Sequence, residues 1–223
     1  MKITIVKPGF EILTPKETIA TYQKQIERFA RVCYKSEDRI TDGSAEKLIR
    51  HLLQSKPNKH ESVLEHLSIS VLIICSRAAS HQLVRHRIAA YSQESQRYCN
   101  YGKKGFAVIC PPSISESLGG FTQYDLEVNR KDELNWWLAL RFAEFGEYQR
   151  ELDRGIPPED ARYNLPNAMK TEIVTTFNLR QWRHVFKLRA LDNHAQWEIR
   201  GIMLGILAEF RGMMPDIFGF END

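Results

Sequence analysis

Residues 67–75 read LSISVLIIC, and every odd position in the run is apolar. The even positions begin with Ser68 and Ser70 and turn apolar at Leu72 and Ile74. That pattern predicts a strand whose second half is covered on both faces. The opening MKITIVKPGFEIL predicts a first strand, and EIVTTFNLR (172–180) another, because it is rich in β-branched residues. GFAVIC (105–110) predicts a short strand ended by Pro111 and Pro112. Helical periods fill most of the rest. Thr14, Pro15, Lys16 and Glu17 have the spacing of a capping box with proline at the first helical position, which predicts a helix from there to about Cys33. Residues 45–54 place Leu48, Ile49, Leu52 and Leu53 on one face, and 77–87 do the same with Ala79, Leu83 and Val84. A long helix is expected over 132–153, with Trp136, Leu140, Phe142, Phe145 and Tyr148 supplying bulk. The segment GIPP (155–158) ends it and starts a short helix through Arg162; two further helices are expected at 181–190 and 194–212. HESVLEH (60–66) reads as a polar connector, 113–129 as irregular with Gly119 and Gly120 in a loop, and the tail DIFGFEND as open.

Strands and helices neither alternate strictly nor segregate. The expectation is an α+β fold, a small and mostly antiparallel sheet packed with helices, in a single domain over 1–223. Apolar residues make up 43% and charged residues 26% of the 223, which supplies a core of ordinary size. The formal net charge of +3 is too mild for wholesale nucleic-acid binding, so any anion site must be local. The first residues do not read as a signal peptide, and LSISVLIIC is too short to cross a bilayer. Four cysteines without a CxxC pair suit reduced thiols, so a cytoplasmic protein with no membrane partner is expected.

One stretch is unusual. Residues 85–98, RHRIAAYSQESQRY, crowd Arg85, His86, Arg87 and Arg97 among serines, amides and tyrosines. Guanidinium groups are planar cationic forks that match phosphate oxygens, and a helix ending at Arg87 would offset part of their repulsion through its C-terminal dipole. A solvated basic turn is the plain alternative. A nucleic-acid module is a second one, with Tyr91, Tyr98 and Tyr101 stacking on bases. Ser95 has no histidine or aspartate placed by sequence to activate it as a nucleophile. His60 and His66, with Glu61 and Glu65, lack the HExxH spacing of a helical zinc site, so no metal is expected.

The arginine-histidine-arginine triplet, then seven residues, then Ser95 and Arg97-Tyr98, resembles the signature of the flavin-dependent thymidylate synthases. ARVCYKS (30–36), HESVLEH and LRALDNHAQWEIR (188–200) resemble further segments of that family, and the four together span most of the chain in the family's order. The resemblance implies FAD as cofactor, NADPH as its reductant and 5,10-methylenetetrahydrofolate as one-carbon donor, converting dUMP to dTMP. It also implies a homotetramer with active sites shared between subunits. Carried over residue by residue, it puts Gln82, Arg85, Gln93, Ser95, Gln96, Arg97, Arg162 and Arg189 at the nucleotide. It puts Ser62, Arg85, His86, Arg87, Gln93, Asn178, Arg180, His184 and His194 at FAD. Arg189 is the implied catalytic residue. Uracil must become electron-rich at C5, and a fixed cation beside the ring lowers the cost of that charge. None of the four cysteines is required as a nucleophile, unlike in the cysteine-dependent thymidylate synthases. The chain departs from the family pattern twice. Gln93 stands where many members carry glutamate, which exchanges an acceptor-only group for one with donors. The interval from Arg189 to His194 is one residue longer than usual, so either a bulge absorbs the extra residue or His194 turns away from the cofactor.

Overall fold

The structure is a computed structural model that describes residues 1–55, 59–127 and 132–219. Its strands are β1 (Lys2–Ile5), β2 (Gly9–Ile12), β3 (Ser68–Ser76), β4 (Ala90–Gln93), β5 (Phe106–Val108), β6 (Gly119–Thr122) and β7 (Lys170–Asn178). They form a three-stranded sheet ordered β5-β1-β6 and a four-stranded sheet ordered β2-β3-β7-β4. The α+β class follows the sequence expectation. β1 runs parallel to β5 and antiparallel to β6. β3 and β7 run antiparallel: Leu179 N–H bonds the Leu67 carbonyl at 2.9 Å, and Arg77 N–H bonds that of Met169 at 2.9 Å. The period-two pattern of β3 buries Ile69, Val71, Ile73 and Cys75.

The α-helices are α1 (Lys16–Ile19), α2 (Tyr22–Val32), α3 (Ser44–Gln54), α4 (Arg77–Leu83), α5 (Tyr101–Lys104), α6 (Gln123–Glu127), α7 (Glu133–Asp153), α8 (Pro158–Ala161), α9 (Leu179–Phe186), α10 (Trp197–Met213) and α11 (Pro215–Phe218). Among the described residues, none is long and apolar enough to cross a membrane.

The chain forms two compact units. The first comprises Met1–Gly9, Ile73–Arg85 and Ser92–Ile173; the second comprises Phe10–Leu72, His86–Tyr91 and Val174–Asp223. In the first, α7 buries Trp137, Leu138, Phe142, Phe145 and Tyr148 together with Ile3, Ile5, Phe106 and Val108. Phe106 stacks on Phe145 with ring centroids 4.3 Å apart. In the second, Trp182 sits between Phe177, Phe186 and Phe210, at centroid distances of 4.7, 5.4 and 5.3 Å. Its indole N–H donates to the Ile69 carbonyl at 3.1 Å, so the one polar atom of a fully buried ring is satisfied.

Several expectations need correction. Thr14 does not cap a helix: Pro15 takes that place, and the Thr14 hydroxyl accepts the Ser70 N–H at 2.8 Å, tying the segment to β3 instead. The helix expected through Cys33 breaks between α1 and α2. The 60–66 connector is a 3-10 turn, Glu61–His66, that buries Leu64. Gly119 and Gly120 lie in β6, not a loop; Gly119 has φ of +117°, a conformation glycine adopts without penalty. Trp136 and Leu140 are exposed, while Trp137 and Leu138 are buried. Adjacent helical positions point about 100° apart, so of two neighbouring tryptophans only Trp137 shares the face of Phe145 and Tyr148. The helix expected over 77–87 ends at Leu83, and the stretch after it forms β4. Arg180 lies in the first turn of α9 and not in a strand. The tail is not open as far as Gly219: α11 buries Ile217 and Phe218 completely, with Phe218 edge-on to Phe210 at 5.1 Å. Residues 220–223 lie outside the described residues.

Replacing Phe218 by alanine removes a buried ring, and the expected loss of unfolding free energy is about 3–5 kcal/mol. Tyr124 is 83% exposed, and its alanine variant is expected to stay within about 0.5 kcal/mol of the parent. Urea unfolding of both variants measures the contrast; equal effects would remove α11 from the core.

Candidate functional site

Asn178 starts α9. Its side-chain oxygen accepts the Gln181 N–H at 2.8 Å, satisfying one of the helix's unpaired donors. One face of α9 buries Leu179, Trp182, Val185 and Phe186. Arg180 and His184 are turned outward, and with Asn178, Gln181, Arg183, Lys187, Glu61, Glu65 and Ile88 they line a cavity of about 530 Å³ in the second unit.

Two carboxylates in this wall face guanidinium groups. Glu61 lies 3.7 Å from Arg180 Nε and 3.2 Å from Arg183 Nε; Glu65 pairs with Arg180 Nη1. Arg183 is buried, and it also donates to the Ile217 carbonyl. Three basic side chains (Arg180, Arg183 and Lys187) thus outnumber two carboxylates, each already engaged. The wall carries net positive charge and suits an anionic ligand.

Beside His184 lies the histidine of the basic triplet. His86 is 7% exposed, and its ring stands edge-on to Phe177 and His184 at centroid distances of 6.4 and 6.2 Å. Arg189 Nε donates to His86 Nε2 at 3.2 Å. Burial lowers the His86 pKa, helped by the charges of Arg189 and His184, to about 4. The ring is therefore neutral at pH 7, and because Nε2 accepts, the proton sits on Nδ1. The crowding in the sequence resolves accordingly: Arg85 and Arg87 are exposed cations flanking a neutral imidazole. Tyr91 donates its hydroxyl to the His86 carbonyl at 2.7 Å and lies edge-on to Phe177. Tyr101 is 3% exposed, so of the three tyrosines considered for base stacking only Tyr98 has an open ring. The three tyrosines therefore do not present one shared exposed face.

The residues expected at the nucleotide, apart from Arg189, all fall in the first unit. Arg97 Nε bonds Glu159 at 2.6 Å, and Arg162 Nε donates to the Glu159 backbone carbonyl at 2.9 Å, so Glu159 brings both arginines together. Ser95 begins a turn: its hydroxyl oxygen accepts the Arg97 N–H at 3.3 Å, and its carbonyl accepts that of Cys99 at 2.9 Å. Gln82 is half-buried on α4, Arg85 follows that helix, and Gln96 is half-buried in the turn. Gln93 ends β4 and donates from Nε2 to Ser80 Oγ at 3.0 Å and to Thr171 Oγ1 at 3.2 Å. The Ser80 hydroxyl gives its proton to the Arg77 carbonyl, so it needs a donor opposite. An amide supplies one and a carboxylate does not, which accounts physically for glutamine at this position.

Of the residues expected at FAD, Ser62 is exposed on the 61–66 turn, and Asn178, Arg180 and His184 share the cavity described above. Lys187–Leu191 forms one π-helical turn, closed by Asp192 N–H to the Lys187 carbonyl at 3.2 Å. This wider turn takes up one residue more than an α-turn does, and it overlaps the start of the Arg189–His194 interval. His194 follows in an irregular turn; its side chain is 96% exposed and pairs with Asp192 at 3.1 Å. Sequence reading missed Glu61, Glu65, Lys187 and Glu159 as partners or lining. For Gln181 a signal existed, since Asn178 and Gln181 have capping-box spacing. Glu65 and Arg180 are 115 positions apart, and nothing local announces their pairing.

Two outcomes are expected. In an unfolded chain His86 titrates near 6.5 and in the flavin-free native protein at about 4. Between those values the unfolded state binds more protons, so this histidine's contribution to stability falls as pH drops from about 6.5 to about 4. Urea unfolding across that range checks it: His86→Gln should show a shallower decline, and an unchanged slope would refute the assignment. Gln93→Glu places a carboxylate against Ser80 and should cost about 1–3 kcal/mol of stability in the same assay.

The family model described as thymidylate synthase complementing protein matches residues 17–216. A flavin-dependent thymidylate synthase of Geobacter sulfurreducens is 41% identical over 193 residues, covering 85% of this chain and 77% of its own. One from Pyrococcus furiosus is 38% identical over 198 residues, covering 87% and 74%. Among solved structures, a UMP/dUMP methylase, PolB, from Streptomyces cacaoi bound with 5-Br dUMP superposes with a TM-score of 0.73 at 26% identity, over 96% of this chain and 95% of that one. With its matched length and its fold in agreement, this chain is an enzyme of the flavin-dependent thymidylate synthase family.

Proposed function

We propose that this enzyme converts dUMP to dTMP, with FAD as cofactor, NADPH as reductant and 5,10-methylenetetrahydrofolate as the one-carbon donor. The observation that carries the reading is the Arg189–His86 hydrogen bond, set beside a cavity with net positive lining. The donor set fits FAD: the two phosphates of a dinucleotide match Arg180 and Lys187, and Asn178 and Gln181 add amides. Exposed Arg87 and Ser62 extend the same chemistry. The bound flavin supplies the redox chemistry, and the protein supplies orientation and electrostatics.

Neutral His86 fixes Nε–H of Arg189 and thereby sets the plane of its guanidinium. The terminal nitrogens of Arg189 then stabilise negative charge on the uracil ring, which promotes attack from C5. Gln82, Arg85, Ser95, Gln96, Arg97 and Arg162 hold dUMP, with Arg97 exchanging Glu159 for the nucleotide phosphate. Gln93, its N–H groups engaged by Ser80 and Thr171, offers its carbonyl oxygen. His194 is assigned to FAD by resemblance alone. The 223 residues act as one catalytic domain in a cytoplasmic homotetramer, in which partner subunits complete each active site.

The purified protein should show an oxidised-flavin band near roughly 450 nm and dUMP-stimulated oxidation of NADPH. Arg189→Ala should keep the flavin and lose dTMP formation by roughly 10²-fold or more. Retained dTMP formation would take Arg189 out of catalysis, and a colourless protein that ignores added FAD would overturn the reading as a whole.

A further inference from the structure

A second cavity, of about 400 Å³, is lined by residues of α2, α3 and the 3-10 turn Glu37–Arg39, together with His60. Two of the segments that carry the family resemblance converge on it. ARVCYKS contributes Arg31, Tyr34 and Ser36, and HESVLEH contributes His60. Arg39 and His51 complete the polar wall, over an apolar floor that includes Leu48 and Leu52.

Among the described residues, no carboxylate lines this cavity. Buried Glu27 holds Arg31, accepting from Nε at 3.2 Å and from Nη2 at 2.9 Å, so Arg31 is a fixed wall with its charge balanced. Among the described residues Arg39, His51 and His60 form no ion pair, so Arg39 brings an uncompensated charge and the two imidazoles add hydrogen-bonding nitrogens. Tyr34, 72% exposed, offers its ring at the edge. A pocket of this size with an apolar floor and a cationic wall selects an anionic group borne on an aromatic or apolar stem.

The position narrows the ligand. His60 lines this cavity and the next residue, Glu61, lines the first. Adjacent residues of the chain thus border both cavities, which favours a ligand of the same reaction over an unrelated one. We propose that the second cavity binds the anionic end of a co-substrate. The identity of the co-substrates rests on the function proposed above. Two sources share this chemistry: the glutamyl carboxylates of the folate, and the 2′-phosphate that distinguishes NADPH from NADH.

The test uses the flavin-loaded enzyme and two probes in isothermal calorimetry: pteroyltetraglutamate for the first source and adenosine 2′,5′-bisphosphate for the second. Arg39 and His51 are exposed, and neither makes an ion pair within the described fold, so Arg39→Glu and His51→Ala leave the core intact. One probe should bind the parent and weaken about tenfold in Arg39→Glu, with a smaller loss in His51→Ala. In steady state the KM for the matching co-substrate should rise by a similar factor with kcat held. Loss confined to the tetraglutamate assigns the folate tail; loss of preference for NADPH over NADH assigns the 2′-phosphate. The proposal is overturned if neither probe binds the parent, or if both bind the variants as tightly as the parent. A parent enzyme that makes no dTMP would instead remove the proposed function, while the calorimetry would still decide whether the cavity takes the anion.

Discussion

Burial of Trp182 is the constraint from which the site follows. Its ring is enclosed by Phe177, Phe186 and Phe210, and its N–H is tied to the Ile69 carbonyl of β3. An aromatic side chain held on all sides and hydrogen-bonded at its single polar atom leaves a helix no freedom to rotate. With that face of α9 fixed inward, Arg180 and His184 are fixed outward, and the π turn that continues α9 carries Arg189. The cavity wall is thus the reverse side of an aromatic core. Phe218, from the end of the described chain, seals that core by packing on Phe186 and Phe210.

Charge in the site is arranged by neutralising some groups and leaving others open. A protonated His86 next to Arg189 would add repulsion in a buried place, and its low pKa removes that cost while creating an acceptor. Glu61 and Glu65 work in the opposite sense. They hold Arg180 and Arg183 in position before any ligand arrives, so part of the ordering entropy is settled on folding rather than on binding. An incoming anion must compete with these carboxylates, and Arg97 stands in the same relation to Glu159. Both cases describe cations that are pre-aimed and still exchangeable.

Much of this was legible in the chain. The β3 alternation, the bulk of α7, the strand now seen as β7 and the α+β class were all readable from periodicity, because each depends on neighbours a few positions away. The candidate site was legible through the spacing of Arg85, His86, Arg87, Ser95 and Arg97 and the three further segments. The errors have definite causes. Thr14 satisfied a local capping rule and was taken instead by Ser70, which is 56 positions away. Of the bulky residues expected in α7, Phe142, Phe145 and Tyr148 are buried, whereas Trp136 and Leu140 face solvent, because local bulk does not say which side of a helix meets the core. Gly119 and Gly120 looked like a loop, since nothing nearby shows that β1 lies beside them.

By itself, then, the sequence determined which residue types stand at which spacings, and with them the elements, the family and the inventory of cations. Tertiary structure alone decided their states and pairings. That His86 is neutral, that Glu65 holds Arg180, that Glu159 joins Arg97 to Arg162, and that Arg39, His51 and His60 share one cavity are consequences of burial and of contacts between distant segments. Desolvation and pairing depend on what surrounds a group in space, and a linear chain carries that information only through the fold it adopts.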